Sequence, residues 1–288
     1  MSLSLSSGGA PRGQSSSSST MTSSSSATQR TRRPIVTGTS VLGIKYNNGV
    51  MLSADTLASY GSMAKYKAAQ RLISIGSGSK SFTLIGGGGE YSDFQAVKDL
   101  LDRNALDDYC TSDSLYDDDE SNTAASGSQM CAKQTWNYLR AVMYNRRNKM
   151  NPLWNDLVVA GFTSTTASSE SGNDDASTGP VPFLGLVDKI GTTYEDSFIA
   201  TGFGSYLAIP ILREKWRPDL DEGEARALLE DCMRVLFYRD CRALNKIQIA
   251  KVTKEEGVLI SEPYELETEW GFASFVDPKG QLDGDGGW

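Results

Sequence analysis

Residues 33–62 read "RPIVTGTSVLGIKYNNGVMLSADTLASYGS". Two strand-like runs, "SVLGIKY" and "GVMLSAD", flank Asn47-Asn48-Gly49. Asn-Gly supplies the positive φ that a tight hairpin turn uses, so the spacing predicts a β-hairpin with a left-handed turn. Gly38-Thr39 stands at the head of the first run, and Asp55 closes the second. A threonine there with a carboxylate in support is either a nucleophile or an ordinary strand residue.

The same alternation continues outward. "RLISI" and "FTLIGG" read as strands, and Phe94, Val97, Leu100 and Leu101 mark one face of a helix from about Tyr91. A second helix covers residues 128–148, with Ala132, Thr135, Trp136, Leu139, Val142 and Met143 as its stripe. Arg140, Arg146, Arg147 and Lys149 gather toward its C-terminal end, where cations favour the helix dipole. "LVVAGF", "PFLGLVD" and "SFIATG" are strands. Helices follow near 204–216 and 221–239, and "KIQIAKVT" and "GVLIS" close the pattern. Strands, two helices, strands, two helices and strands again describe an α+β chain of layered sheets with helices outside, not an alternating Rossmann-like order. The Gly86–Gly89 run falls where phosphate loops lie, but it lacks the Gly-Lys-Ser/Thr ending.

Composition narrows the chemistry. The chain has 288 residues, a net charge of -8 and no histidine. Acidity argues against nucleic acid as a partner. The missing histidine excludes Ser-His-Asp and Cys-His catalysis and removes the commonest zinc ligand. A hydrolase built this way has to use a lysine, a carboxylate or a terminal amine as its base. No apolar run approaches the ~20 residues that span a bilayer, and no secretory leader is evident. Four scattered cysteines, Cys110, Cys131, Cys232 and Cys241, read as reduced thiols in a cytosolic or nuclear protein. No cofactor or metal is expected.

Three segments divide the chain. Residues 1–30 are Ser-rich, with "SSSSSTMTSSSS" at 15–26, and read as a disordered leader. Residues 31–262 carry the folded pattern. Residues 263–288 hold aromatics among Gly and acidic residues and read as an arm that docks elsewhere. Two polar stretches, near 107–127 and 163–180, read as surface loops.

The block from Thr37 to Ala54 resembles the N-terminal strands of proteasome β-subunits. In active members of that family a Gly-Thr bond is cut and the freed threonine attacks, with its own α-amine as base. Here the match is Gly38-Thr39 followed by "GVMLSAD". The family's aspartate, 16 positions on, falls on Asp55, and its lysine, 32 positions on, is replaced by Arg71. "FYRDC" resembles the family's "YRDAYSGG" and puts Asp240 at its aspartate. The two supporting serines of active members fall on Phe203 and Ala243. Five longer strings, "PIVTGTSVLGIKY", "SYGSMAKY", "YNRRNKMNPLWN", "ATGFGSYLAIPILRE" and "CMRVLFYRDCRALNKIQIA", resemble a non-catalytic member of the family, over about Thr31 to Ser261.

The resemblance implies a four-layer αββα sandwich, the N-terminal nucleophile hydrolase fold. It implies a structural place in a hetero-oligomer of four stacked seven-membered rings, with other proteasome α- and β-subunits as partners, in cytoplasm and nucleus. It also implies trimming between Arg30 and Thr31, which leaves Thr39 inside the chain, and a C-terminal arm that reaches the opposite β-ring. Thr39, Asp55, Arg71, Phe203, Asp240 and Ala243 are then vestigial positions. The competing expectation is an active threonine endopeptidase, with Thr39 as nucleophile, Asp55 and Arg71 in support and Asp240 orienting.

Overall fold

The computed structural model describes residues 34–76, 82–113, 130–163 and 180–271. The Ser-rich leader, the Arg30–Thr31 junction, most of both polar loops and the arm beyond residue 271 lie outside the described residues.

The described chain is α+β, with two antiparallel sheets and four helices. In chain order the strands are β1 (Val36–Gly38), β2 (Val41–Tyr46), β3 (Gly49–Asp55), β4 (Ala58–Tyr60), β5 (Met63–Tyr66), β6 (Leu72–Ile75) and β7 (Thr83–Glu90). After helices α1 (Tyr91–Asp113) and α2 (Ala132–Asn148) come β8 (Asn155–Phe162), β9 (Pro182–Val187), β10 (Thr193–Glu195) and β11 (Phe198–Ala200). Helices α3 (Gly204–Lys215) and α4 (Glu222–Arg239) precede β12 (Lys246–Thr253), β13 (Gly257–Ile260) and β14 (Tyr264–Glu265).

The first sheet runs β10-β9-β8-β7-β1-β4-β5, with β6 also on β7. The second runs β11-β2-β3-β12-β13, with β14 also on β12. The pleat sends alternate side chains to opposite faces, and here both faces are buried. On β8, Val158 and Ala160 join Leu52, Ala54 and Val252 of the other sheet in a shared core. Leu157 and Val159 face the other way, into a core with Phe94, Val97 and Leu101 of α1 and Trp136, Leu139 and Met143 of α2. On β2, Leu42 and Ile44 pack with Ala208 and Leu212 of α3 and Leu229, Cys232 and Leu236 of α4. Burial on both faces explains why these strands read as nearly continuous apolar runs. Among the described residues no helix is long and apolar enough to cross a membrane.

The hairpin forms where the sequence places it, with Tyr46 opposite Gly49. Its turn is different from the expected one. Neither Asn48 nor Gly49 takes a positive φ. The Asn47 N–H donates to the Leu220 carbonyl at 3.0 Å, so the connection between α3 and α4 holds the turn. Gly49 is needed for space, because a β-carbon there would overlap the Val252 carbonyl. Gly86–Gly89 is no loop: it lies inside β7, with Gly88 opposite Asp156 and Gly89 opposite Asn155.

Five short strands, β1, β4, β5, β10 and β14, escape sequence reading. The packed body also extends past the expected boundary at residue 262. Leu266 is buried in the core under α3 and α4, and the Trp270 ring meets those of Phe237 and Tyr238 edge-on at 5.8 and 4.9 Å.

Candidate functional site: the surroundings of Thr39

Thr39 sits between β1 and β2, where the chain leaves one sheet and enters the other. It is part-buried and outside both strands. While the Gly38–Thr39 bond is intact, its nitrogen is an amide with no usable basicity. Upstream of that bond the chain is held in place. β1 lies between β7 and β4, with Thr37 opposite both Glu90 and Ser59. The Glu90 carboxylate accepts the Ile35 N–H and, at 3.1 Å, the Val36 N–H.

Arg71 organises the rest. β6 and β1 follow one another along the same side of β7, and Arg71 fills the junction. Its carbonyl accepts the Gly87 N–H at 2.9 Å, and its Nε donates to the Gly87 carbonyl at 3.1 Å. Nη2 donates to the Thr39 carbonyl at 2.6 Å and the Ser40 carbonyl at 3.1 Å. Nη1 pairs with Asp55 Oδ1. Both side chains are only 1% exposed. Asp55 Oδ2 accepts the Leu244 N–H at 3.1 Å. Burial pushes the Asp55 carboxyl above its usual range, against the pull of the guanidinium and the Leu244 N–H. Arginine keeps its proton in proteins, so the two form an ion pair.

The geometry suits a planar, five-donor head and not an ammonium. A β-carbon on Gly38 would overlap the Arg71 guanidinium, so the glycine before Thr39 makes room for the arginine. The five oxygens it bonds, the Asp55 Oδ1 and the carbonyls of Asp55, Thr39, Ser40 and Gly87, lie in several directions around it, and lysine has three donors on one atom.

Asp240 caps the end of α4 and is buried. Its Oδ1 accepts the Arg242 N–H at 2.9 Å, and its carbonyl accepts the Ala243 N–H at 3.1 Å. Asp240 Oδ2 has no hydrogen-bond partner among the described residues. This turn delivers the Leu244 N–H to Asp55, so Asp240 and Asp55 are neighbours through one segment. Ala243 is part-buried within it.

Phe203 precedes α3 and is 47% exposed. With Thr201, Gly202, Tyr206, Arg242, Asp156 and Asp188 it borders a cleft of about 500 Å³. Asp156 lies at the start of β8 and Asp188 directly after β9. Burial and a hydrogen bond with Asp188 push the Asp156 carboxyl up to about 6, with Lys189 opposing.

Sequence reasoning missed three residues that complete this region. Ser40 Oγ accepts the Gly204 N–H at 2.9 Å, at the start of α3. Thr201 Oγ1 accepts the Val41 N–H at 2.9 Å. Glu90 latches the upstream strand. Each is engaged with main chain. Ser40 directly follows Thr39, and Thr201 begins "TGFGS", so proximity to quoted motifs was the available signal; nothing in sequence marked Glu90.

Residues 35–169 and 174–252 match the proteasome subunit family, and the chain belongs to that family. Within it, the chain is 45% identical over 251 residues to proteasome subunit beta type-4 of Arabidopsis thaliana, covering 87% of this chain and 89% of the relative. The beta type-4 subunit of Dictyostelium discoideum is 43% identical, over 83% and 81%. Proteasome subunit beta type-7 of Saccharomyces cerevisiae is 36% identical, over 85% of each.

Proposed function

We propose that this chain is a structural β-subunit of the 20S proteasome core that performs no peptide-bond chemistry of its own. The observation that carries the reading is the state of Thr39. The strand before it is paired on both sides within a sheet, its carbonyl is held by Arg71, and Arg71 fills the place beside Asp55 where the active members carry a lysine. A threonine hydroxyl needs an adjacent base, and the base available to an N-terminal nucleophile is its own free amine. The Arg71–Asp55 pair serves as structure. It ties β3, β7 and the entry to β2 together in place of a lysine that supports a nucleophile.

By the same reading the fold is the αββα sandwich of N-terminal nucleophile hydrolases. Three cores support it: one between the sheets, and one under each helix pair. The chain fills a place in a seven-membered β-ring beside other α- and β-subunits, in cytoplasm and nucleus. It contributes walls that confine substrate near active threonines of its neighbours. The leader is removed near Arg30–Thr31, and residues beyond 271 form an arm that helps join the two halves of the particle.

A threonine-directed covalent probe applied to the native complex tests the inactivity. Subunits with a free N-terminal threonine should gain the probe's mass while this one does not. A labelled Thr39 would refute the proposal.

A further inference from the structure

We propose that β1 is a keystone strand, and that the point at which the leader is cut decides whether the β4–β5 hairpin is held on the body. The inference rests on the reading that residues upstream of Thr39 are retained.

Topology carries it. β4 has two neighbours in the sheet, β5 and β1, and β5 is the edge. The hairpin therefore joins the sheet through β1 alone. β1 is three residues long but paired on both sides, Thr37 to Glu90 and Ser59, Gly38 to Gly89, and Val36 to Tyr60. Side chains reinforce each seam. Ser59 Oγ donates to the Thr37 carbonyl at 3.2 Å on the hairpin side. On the β7 side the Glu90 carboxylate takes the N–H groups of Ile35 and Val36, with Ser92 Oγ supporting it at 3.0 Å. Arg71 packs on Gly38 from below.

The hairpin displays a surface. Tyr60, Met63 and Tyr66 are each about half exposed, and Lys65 Nζ lies 5.7 Å from the Tyr60 ring centre and 5.3 Å from that of Tyr66. Without β1, Ser59 and Tyr60 lose their ladder partners, and a strand-wide gap opens between β4 and β7. The base of the hairpin stays closed by the Ala69 N–H to the Thr56 carbonyl and by Thr56 Oγ1 to the Lys67 carbonyl, at 2.9 Å each. Cutting at Gly38–Thr39 would thus loosen the displayed face and leave the rest of the body intact. A cut upstream of Pro34 would preserve it.

Hydrogen exchange on assembled particles carrying the full chain tests this. Thr37→Pro removes a ladder donor and puts a ring into an interior strand, which sheets do not accept. Glu90→Ala is the milder variant, releasing the Ile35 and Val36 N–H groups. Amides of 58–66 should exchange about ten-fold faster in Thr37→Pro, and measurably faster in Glu90→Ala, while those of 246–253 stay at the wild-type rate. If Thr37→Pro yields no particles, the Glu90→Ala result decides alone. Wild-type protection of 58–66 with freed exchange at 35–38 would overturn the keystone role. A wild-type subunit that begins at Thr39 would instead overturn the reading beneath it, so the two failures are separable.

Discussion

Arg71 and Asp55 share a buried pair in which neither partner tolerates the loss of the other. Removing one side of such a pair strands a charge and typically costs 3–5 kcal/mol. Arg71→Ala should therefore lower stability by about that amount, read as a drop in the denaturation midpoint of the purified subunit. Arg71→Lys restores the family's residue type but loses the fork that reaches Thr39, Ser40, Gly87 and Asp55 together. It should cost about 1–3 kcal/mol and, on the proposed reading that Thr39 stays amide-linked, give no peptidase activity. Activity gained in that variant would count against the structural reading. A second residue-scale prediction concerns Asp156, whose carboxyl burial and Asp188 hold up at about 6. The native state then keeps a proton that the unfolded chain has released, so this contribution grows as pH falls through 6 and levels off below about 4. Asp156→Asn, which keeps a donor toward Asp188, should be more stable than wild type at pH 7.5 by about 1–2 kcal/mol, and the advantage should vanish near pH 4. Thermal melts across that range check the sign.

Among the elements, legibility followed burial. β2, β3, β8 and β12 pack on both faces, so their apolar runs stood out, and β12 was readable to its ends, Lys246–Thr253. Three of the four helices were readable from their stripes, though α1 runs on to Asp113, through the first residues of the stretch near 107–127 that reads as a loop. Glu224 even reaches back to the Asp221 N–H at 3.3 Å to open α4, a short-range signature. β1, β4, β5 and β10 are three or four residues long, and β5 is exposed throughout. Their existence depends on partners distant in sequence, such as Val36 with Tyr60, which no local pattern carries. The site divides the same way. Asp55, Arg71 and Asp240 were reachable through fixed spacing and motif, whereas Glu90, Ser40 and Thr201 act through bonds to distant main chain. At this scale Ser40→Ala is informative. It leaves the Gly204 N–H at the start of α3 with the Thr201 carbonyl, at 3.0 Å, as its remaining acceptor and should cost about 0.5–1 kcal/mol, seen as faster exchange in the first turn of α3.

For the whole molecule, the proposed assembly role of the C-terminal segment has to be separated from its part in the body, which one truncation would confuse. Residues 264–271 belong to the body, through β14 on β12, buried Leu266 and Trp270 against α4. A cut after Pro263 removes that packing as well as the arm. Losing a buried leucine alone costs about 2–5 kcal/mol, so the body should suffer. A cut after Gly271 should leave the subunit's melting temperature within error of wild type and slow the joining of half-particles. Native gels that separate half from full particles distinguish the outcomes. Equal assembly in the shorter truncation would remove any role for the arm.

The account turns on whether Thr39 stays inside the chain. Intact mass and N-terminal sequencing of this subunit, taken from the purified native complex, measure that directly. The expected N-terminus lies upstream of Pro34, near Thr31, with the Gly38–Thr39 bond intact; a mature chain beginning at Thr39 would contradict it.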